Sequence, residues 1–226
     1  MTGVQQTNMR NGYRIFLHLI GILSFSWSFY ILSTVNNPKI TRSFGSHYIF
    51  LTILGLLLSL IAFVIALLVD LTGEIKGLKS LSEFLLVIGI ALESVITVLY
   101  WSISLYDREL LKHPDMPEIP FLFDLSLHLF PAVFIWIDFL VFSKNFIRQN
   151  RHILFIYIVA FCYGSWAHFC YLKNGFWAYP FLGQMSGTQR SIFYFFGATI
   201  AAAVYELGAF IHLRINGSPS LIKKQL

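Results

Sequence analysis

The stretch YIFLTILGLLLSLIAFVIALLV, residues 48–69, carries no acidic or basic side chain from end to end. About 20 apolar residues in a helix suffice to cross a hydrocarbon core. The run is continuously apolar and lacks the two-residue alternation of a barrel strand, which leaves a helix as the spanning form. Comparable runs lie at about 13–35, 83–106, 120–142, 153–172 and 191–213. The pattern predicts an all-α polytopic membrane protein, a six-transmembrane-helix bundle. Composition agrees: the 226 residues are 57% hydrophobic and 12% charged, too few charges to cover a soluble domain of this length.

The first run, Ile15 to Leu32, is longer than a signal-peptide core and no small-residue cleavage site follows it, so it reads as a retained span. The connections are short. Only HPDMPEIP (113–120) has a marked composition, with prolines that cannot continue a helix. A single membrane domain, residues 1–226, is expected.

Basic residues set the expected orientation. Arg10, Arg14, Lys76, Lys79, Lys144, Arg148, Arg151, Arg214, Lys223 and Lys224 fall on one side, and Lys39, Arg42, Arg108, Lys112, Lys173 and Arg190 on the other. Ten against six puts both termini in the cytosol. The net charge of +5 suits a surface facing anionic lipid and calls for no nucleic acid. The C-terminal KKQL has lysines three and four residues from the end, a dilysine pattern of endoplasmic reticulum retrieval that requires a cytosolic tail. Cys162 and Cys170 share one span and sit too far apart along it to pair. The sequon at Asn216 is expected on the cytosolic side and unused.

Ionisable groups inside spans are costly and therefore point to function. The candidates are His18, Thr52, Glu93, Asp124, His128, Asp138, His168, Glu206 and His212. By depth, Asp124 and His212 fall near span ends within reach of headgroups or water, and Asp138 is nearer an end than the centre. Glu206 falls well inside the sixth span. Asp124 and His128 are four apart and share a helical face, where a carboxylate can orient an imidazole. Pro131 frees the carbonyl of Leu127 and bends the helix beside that histidine. Thr52 lies roughly 6 Å and His128 roughly 12 Å into spans that begin on the same side, at 1.5 Å per residue. The two can share a leaflet. The sequence has no G-x-S-x-G elbow, no H-x-x-H cluster, no zinc motif and no glycine-rich phosphate loop, so chemistry would come from side chains on different helices without a cofactor or metal.

Several fragments, in order, carry a resemblance: FLT (50–52), YDRE (106–109), LHLFP (127–131), GFWAYPFL (175–182) and FFGAT (195–199). On these the chain resembles the androgen-induced and androgen-dependent transmembrane proteins that hydrolyse fatty acid esters of hydroxy fatty acids. The resemblance implies an intramembrane threonine and histidine as the hydrolytic pair, and it places them on Thr52 and His128. Asp124 stands where those relatives carry Asn, Leu125 replaces a further histidine, and His128 is two residues closer to the proline.

The resemblance thus implies a threonine-dependent lipid esterase. Thr52 would be the nucleophile, His128 the base and Asp124 an orienting third member, with His168, Trp166 and Tyr179 as donors by residue type for the oxyanion. The substrate would be a lipid ester reached from within the bilayer, with membrane lipids as the other partners. The alternative is a non-catalytic lipid-binding or transport bundle with Glu93, His128, His168 and Glu206 along a polar path.

Overall fold

The computed structural model describes residues 3–35, 37–72, 75–112, 118–144 and 146–217. Residues 113–117 of the proline-rich loop and the KKQL tail lie outside them. The described residues are helical, with no strand. They form α1 (Gly3–Thr34), α2 (Pro38–Thr41), α3 (Leu51–Thr72), α4 (Lys76–Tyr106), α5 (Phe121–His128), α6 (Phe130–Ile137), α7 (Asn150–Asn174), α8 (Pro180–Gly183) and α9 (Gly187–Asn216). Five of these are long and apolar enough to cross a membrane, and six spans result if α5 and α6 are one broken span.

The fourth span bends more sharply than a proline kink beside His128 alone requires. It breaks at Leu129, whose φ of −134° leaves the helical region, and α5 meets α6 and the residues after it at 45°. Pro131 opens α6, where a missing N–H costs nothing. Farther on, Asp138–Phe142 forms a π-helical turn, closed by the Ser143 amide donating to the Asp138 carbonyl at 3.1 Å.

α4 is the central element and has two apolar faces. Leu86 and Ile90 pack with Phe25, Leu56, Phe63, Leu127, Ile135 and Phe139 from α1, α3 and the broken span. Val87, Ile88, Ala91 and Val95 pack with Ile156, Ala201, Ala202 and Tyr205 from α7 and α9. Gly55 lets α3 and α4 approach closely: a Cβ there would come within 2.6 Å of Ile96 Cδ1 and 2.9 Å of Glu93 Oε1. Large apolar side chains such as Phe161, Leu207 and Phe210 stay on the outer surface, as lipid-facing residues should.

The polar candidates assigned to span ends are not solvated. Asp124 is 0% exposed, Asp138 1% and His212 2%. Neighbouring helices supply partners that hydropathy cannot register. Asp138 and Asp70 both accept from Arg14, at 3.0 and 3.1 Å, and His18 lies against both carboxylates. The His212 ring is 2.6 Å from the Ser143 carbonyl. Glu206 differs in the opposite sense: its side chain is 43% exposed and pairs with Arg148 at 2.5 Å.

Candidate active site

Thr52 is the second residue of α3, at a helix start where amides lack intrahelical acceptors. Gly45, with φ of +82°, turns the chain into a 3-10 turn, Ser46–Ile49, and Phe50 is extended before the helix begins. The Leu51 amide donates to the Tyr179 hydroxyl at 3.1 Å, which brings the phenol beside Thr52, the next residue of α3. Tyr179 arrives on the segment between α7 and α8. It is anchored by Trp177, Phe181 and Leu182, which bury among α7 side chains including Tyr163 and Ala167. Burial pushes the Tyr179 phenol above its ordinary pKa, so it stays a neutral hydroxyl.

His128 closes α5 at the break. Its Nδ1 lies 2.8 Å from Asp124 Oδ1 and 3.1 Å from the Asp124 carbonyl. A proton on Nδ1 satisfies both and leaves the Nε2 lone pair for chemistry. The Tyr100 ring stacks on the imidazole with centroids 3.4 Å apart, and its hydroxyl donates to Asp124 Oδ1 at 2.5 Å. Arg108 donates to Asp124 Oδ2 at 3.1 Å. Asp124 is thus a hub held by an arginine, a tyrosine and the histidine.

Thr52 and His128 line one cavity of about 810 Å³ with Tyr100, Arg108 and Tyr179. The described residues include no direct hydrogen bond between the two. The lining also includes His47 and Asn37 from the first connection and Asp107, Lys112 and Glu118 from the third. A second, apolar cavity of about 110 Å³ runs between α4, α7 and α9, and Thr52, Tyr100 and Tyr179 belong to its wall as well.

All five fragments quoted above contribute to these walls: Thr52, Arg108, His128, Tyr179 and Gly197 are one residue from each. The FAR-17a/AIG1-like protein profile matches residues 13–213. The chain belongs to this family. Among FAR-17a/AIG1-like relatives, a UPF0641 membrane protein of Schizosaccharomyces pombe is 36% identical over 198 residues, covering 87% of this chain and 88% of that one. The human androgen-induced gene 1 protein is 24% identical over 183 residues, covering 74% and 76%. The human androgen-dependent TFPI-regulating protein is 22% identical over 180 residues, covering 76% and 77%. No solved structure matches the chain.

Of the oxyanion donors suggested by residue type, Tyr179 is in the cavity of this FAR-17a/AIG1-like chain. The Trp166 indole instead donates to the Tyr48 carbonyl, and His168 packs against Tyr171 and Trp177. Nor do the four residues of the polar-path reading converge. Glu93 accepts from Ser59 at 2.7 Å between α3 and α4, Glu206 pairs with Arg148 at the far end, and His168 sits among aromatics. Tyr100 and Arg108 were not singled out as site residues by the sequence reading. YDRE contains Arg108, but nothing local links it to Asp124, 16 residues on.

Proposed function

We propose that this protein is an intramembrane threonine-dependent esterase that hydrolyses the ester bond of fatty acid esters of hydroxy fatty acids. The observation that carries the reading is the position of Thr52 on the wall common to two cavities, one lined in part by polar groups and holding His128, the other apolar. Such a threonine meets an ester carbonyl whose acyl arm lies in the apolar space. Water and the hydroxy-acid portion occupy the wider cavity.

His128 Nε2 takes the Thr52 hydroxyl proton as Oγ1 attacks the carbonyl carbon. The Tyr179 hydroxyl donates to the developing oxyanion. Collapse breaks the ester C–O bond, and the proton on His128 passes to the departing alkoxide, releasing the hydroxy fatty acid. His128 then takes a proton from water as it attacks the acyl-threonine carbonyl, the bond from that carbon to Thr52 Oγ1 breaks, and the proton on His128 returns to Oγ1 as the fatty acid is freed. Asp124 holds the imidazole with its proton on Nδ1 throughout.

Purified protein in liposomes, given a defined ester of this class, provides the test. Thr52→Ala and His128→Ala should each lower turnover by roughly 10²–10⁴-fold and abolish fluorophosphonate labelling, with thermal unfolding in detergent unchanged. A covalent adduct mapped to Thr52 supports the mechanism. Full turnover by both variants overturns it.

The cellular setting belongs to the same reading. The Lys223–Lys224 pattern and the excess of basic residues on the side of the termini support a protein of the endoplasmic reticulum membrane with both ends cytosolic. A C-terminal tag that masks the dilysine should redistribute it, and unchanged reticular staining sinks the retrieval signal.

A further inference from the structure

At the end of the bundle opposite Thr52, where α3 finishes and α4 and α7 begin, lies a second large cavity of about 820 Å³. Arg14, Lys79, Lys144 and Arg151 line it, with Asp70 and Glu83 as its acids. The esterase chemistry uses none of these residues.

Arg14 and Asp70 of its lining belong to a buried charge network. Arg14 is clamped between Asp70 and Asp138, and His18 lies 2.9 Å from Asp70 Oδ2 and 3.4 Å from Asp138 Oδ1. The side chains of Asp70 and Asp138 are 3% and 1% exposed, so their charge is spent on Arg14 and His18. Among the described residues, Lys144 and Arg151 add two further cations to the lining. Ser80, Ser82 and Ser143 add hydroxyls to the same wall.

The rest of the lining identifies the kind of ligand. Leu81, Ile147 and Phe155 border the cavity and are 44%, 59% and 39% exposed. A soluble anion has no use for exposed apolar walls beside its cationic seat. A membrane lipid does, because its headgroup and upper acyl chains meet at this depth. Basic pockets between spanning helices are suited to phosphorylated headgroups.

We propose that this cavity is a binding site for the phosphorylated headgroup of an anionic membrane lipid, with Lys144 and Arg151 on the phosphate and Leu81, Ile147 and Phe155 against its acyl chains. The site is independent of the esterase reading and stands or falls without it.

The test uses the full chain in phosphatidylcholine nanodiscs with or without a minor fraction of phosphatidylinositol 4-phosphate carrying a photoreactive acyl chain. Two charge-matched double variants are compared: Lys144→Gln with Arg151→Gln in the cavity, and Lys76→Gln with Arg214→Gln at the same end outside it. The cavity pair should lower lipid capture about tenfold or more, and the control pair by much less. In the unmodified protein, photoadducts should map to residues 79–84 and 143–155. Equal losses in the two pairs, or adducts spread over the bundle surface, overturn the site in favour of diffuse attraction. Full competition by soluble inositol phosphate or inorganic phosphate overturns the lipid assignment and identifies a water-soluble phosphate ligand. Should the cavity pair fail to fold, the adduct map of the unmodified protein decides alone.

Discussion

Tyr100 and His128 lie face to face, with ring centroids 3.4 Å apart and planes within 1°, and both bond the same carboxylate oxygen, Asp124 Oδ1. The stack restricts rotation of the imidazole while the shared acceptor fixes which nitrogen carries the proton. His128 is therefore held on two sides before any substrate arrives. Tyr100→Phe keeps the ring and removes the hydroxyl donor, and it should lower kcat about tenfold, the size of one lost hydrogen bond. Tyr100→Ala removes the stack as well and should cost more. Steady-state kinetics of both variants checks this; if Tyr100→Ala matches the unmodified protein, the stack has no part in orienting His128.

Tyr179 accepts from the Leu51 amide at the start of α3, beside Thr52. Tyr179→Phe keeps the ring packed against Phe50 while withdrawing the hydroxyl. The variant should lose roughly 10²-fold in kcat with little change in KM, as expected for a donor that serves the transition state. A rise in KM with unchanged kcat would instead mean that Tyr179 serves substrate binding.

Gly197 lines the apolar cavity, and a Cβ placed on it meets no atom within 4 Å. Gly197→Leu therefore adds volume without a clash at the first carbon and should narrow the chamber. Hydrolysis of esters with long acyl arms should fall by an order of magnitude relative to short ones, since about 1.4 kcal/mol of lost binding corresponds to tenfold. Competition between substrates of different acyl length gives the ratio directly. An unchanged ratio would move the acyl arm out of this cavity.

Gly55 sits where α3 and α4 are tightest. Gly55→Ala should destabilise the protein by about 1–3 kcal/mol through overpacking, read as a lower unfolding temperature in detergent. The nearest obstacle is the tip of Ile96, so Ile96→Ala in the same chain should recover most of the loss. Failure of that rescue would shift the obstruction to Glu93, the next atom in line.

The helical spans were legible because apolar runs of 20-odd residues have few alternatives in sequence. The Asp124–His128 contact was legible as well, since four residues is one turn. Contacts between spans were not. Tyr100 reaches Asp124 across 24 residues and Arg14 reaches Asp138 across 124, and no local pattern encodes either. The same blindness placed Asp124 and His212 at wetted span ends: hydropathy measures distance along the chain and ignores a partner from another segment, Arg108 for Asp124 and the Ser143 carbonyl for His212. The break at Leu129 was half legible, since Pro131 announced a bend without giving its angle of 45°.

The division of the two cavity walls along the chain has a consequence for biosynthesis. Thr52, Tyr100, Asp124 and His128 all belong to the first two-thirds of the polypeptide, whereas Tyr179 and the α7 and α9 walls of the apolar cavity come last. A nascent chain inserted only through its fourth span holds the proposed nucleophile and base without the α7 and α9 walls of the apolar cavity. The ribosome must finish, and the final helix pair must dock, before the site is assembled. Under the proposed esterase function, completion of the fold would act as a quality gate, keeping partly made copies from attacking the membrane in which they are being built.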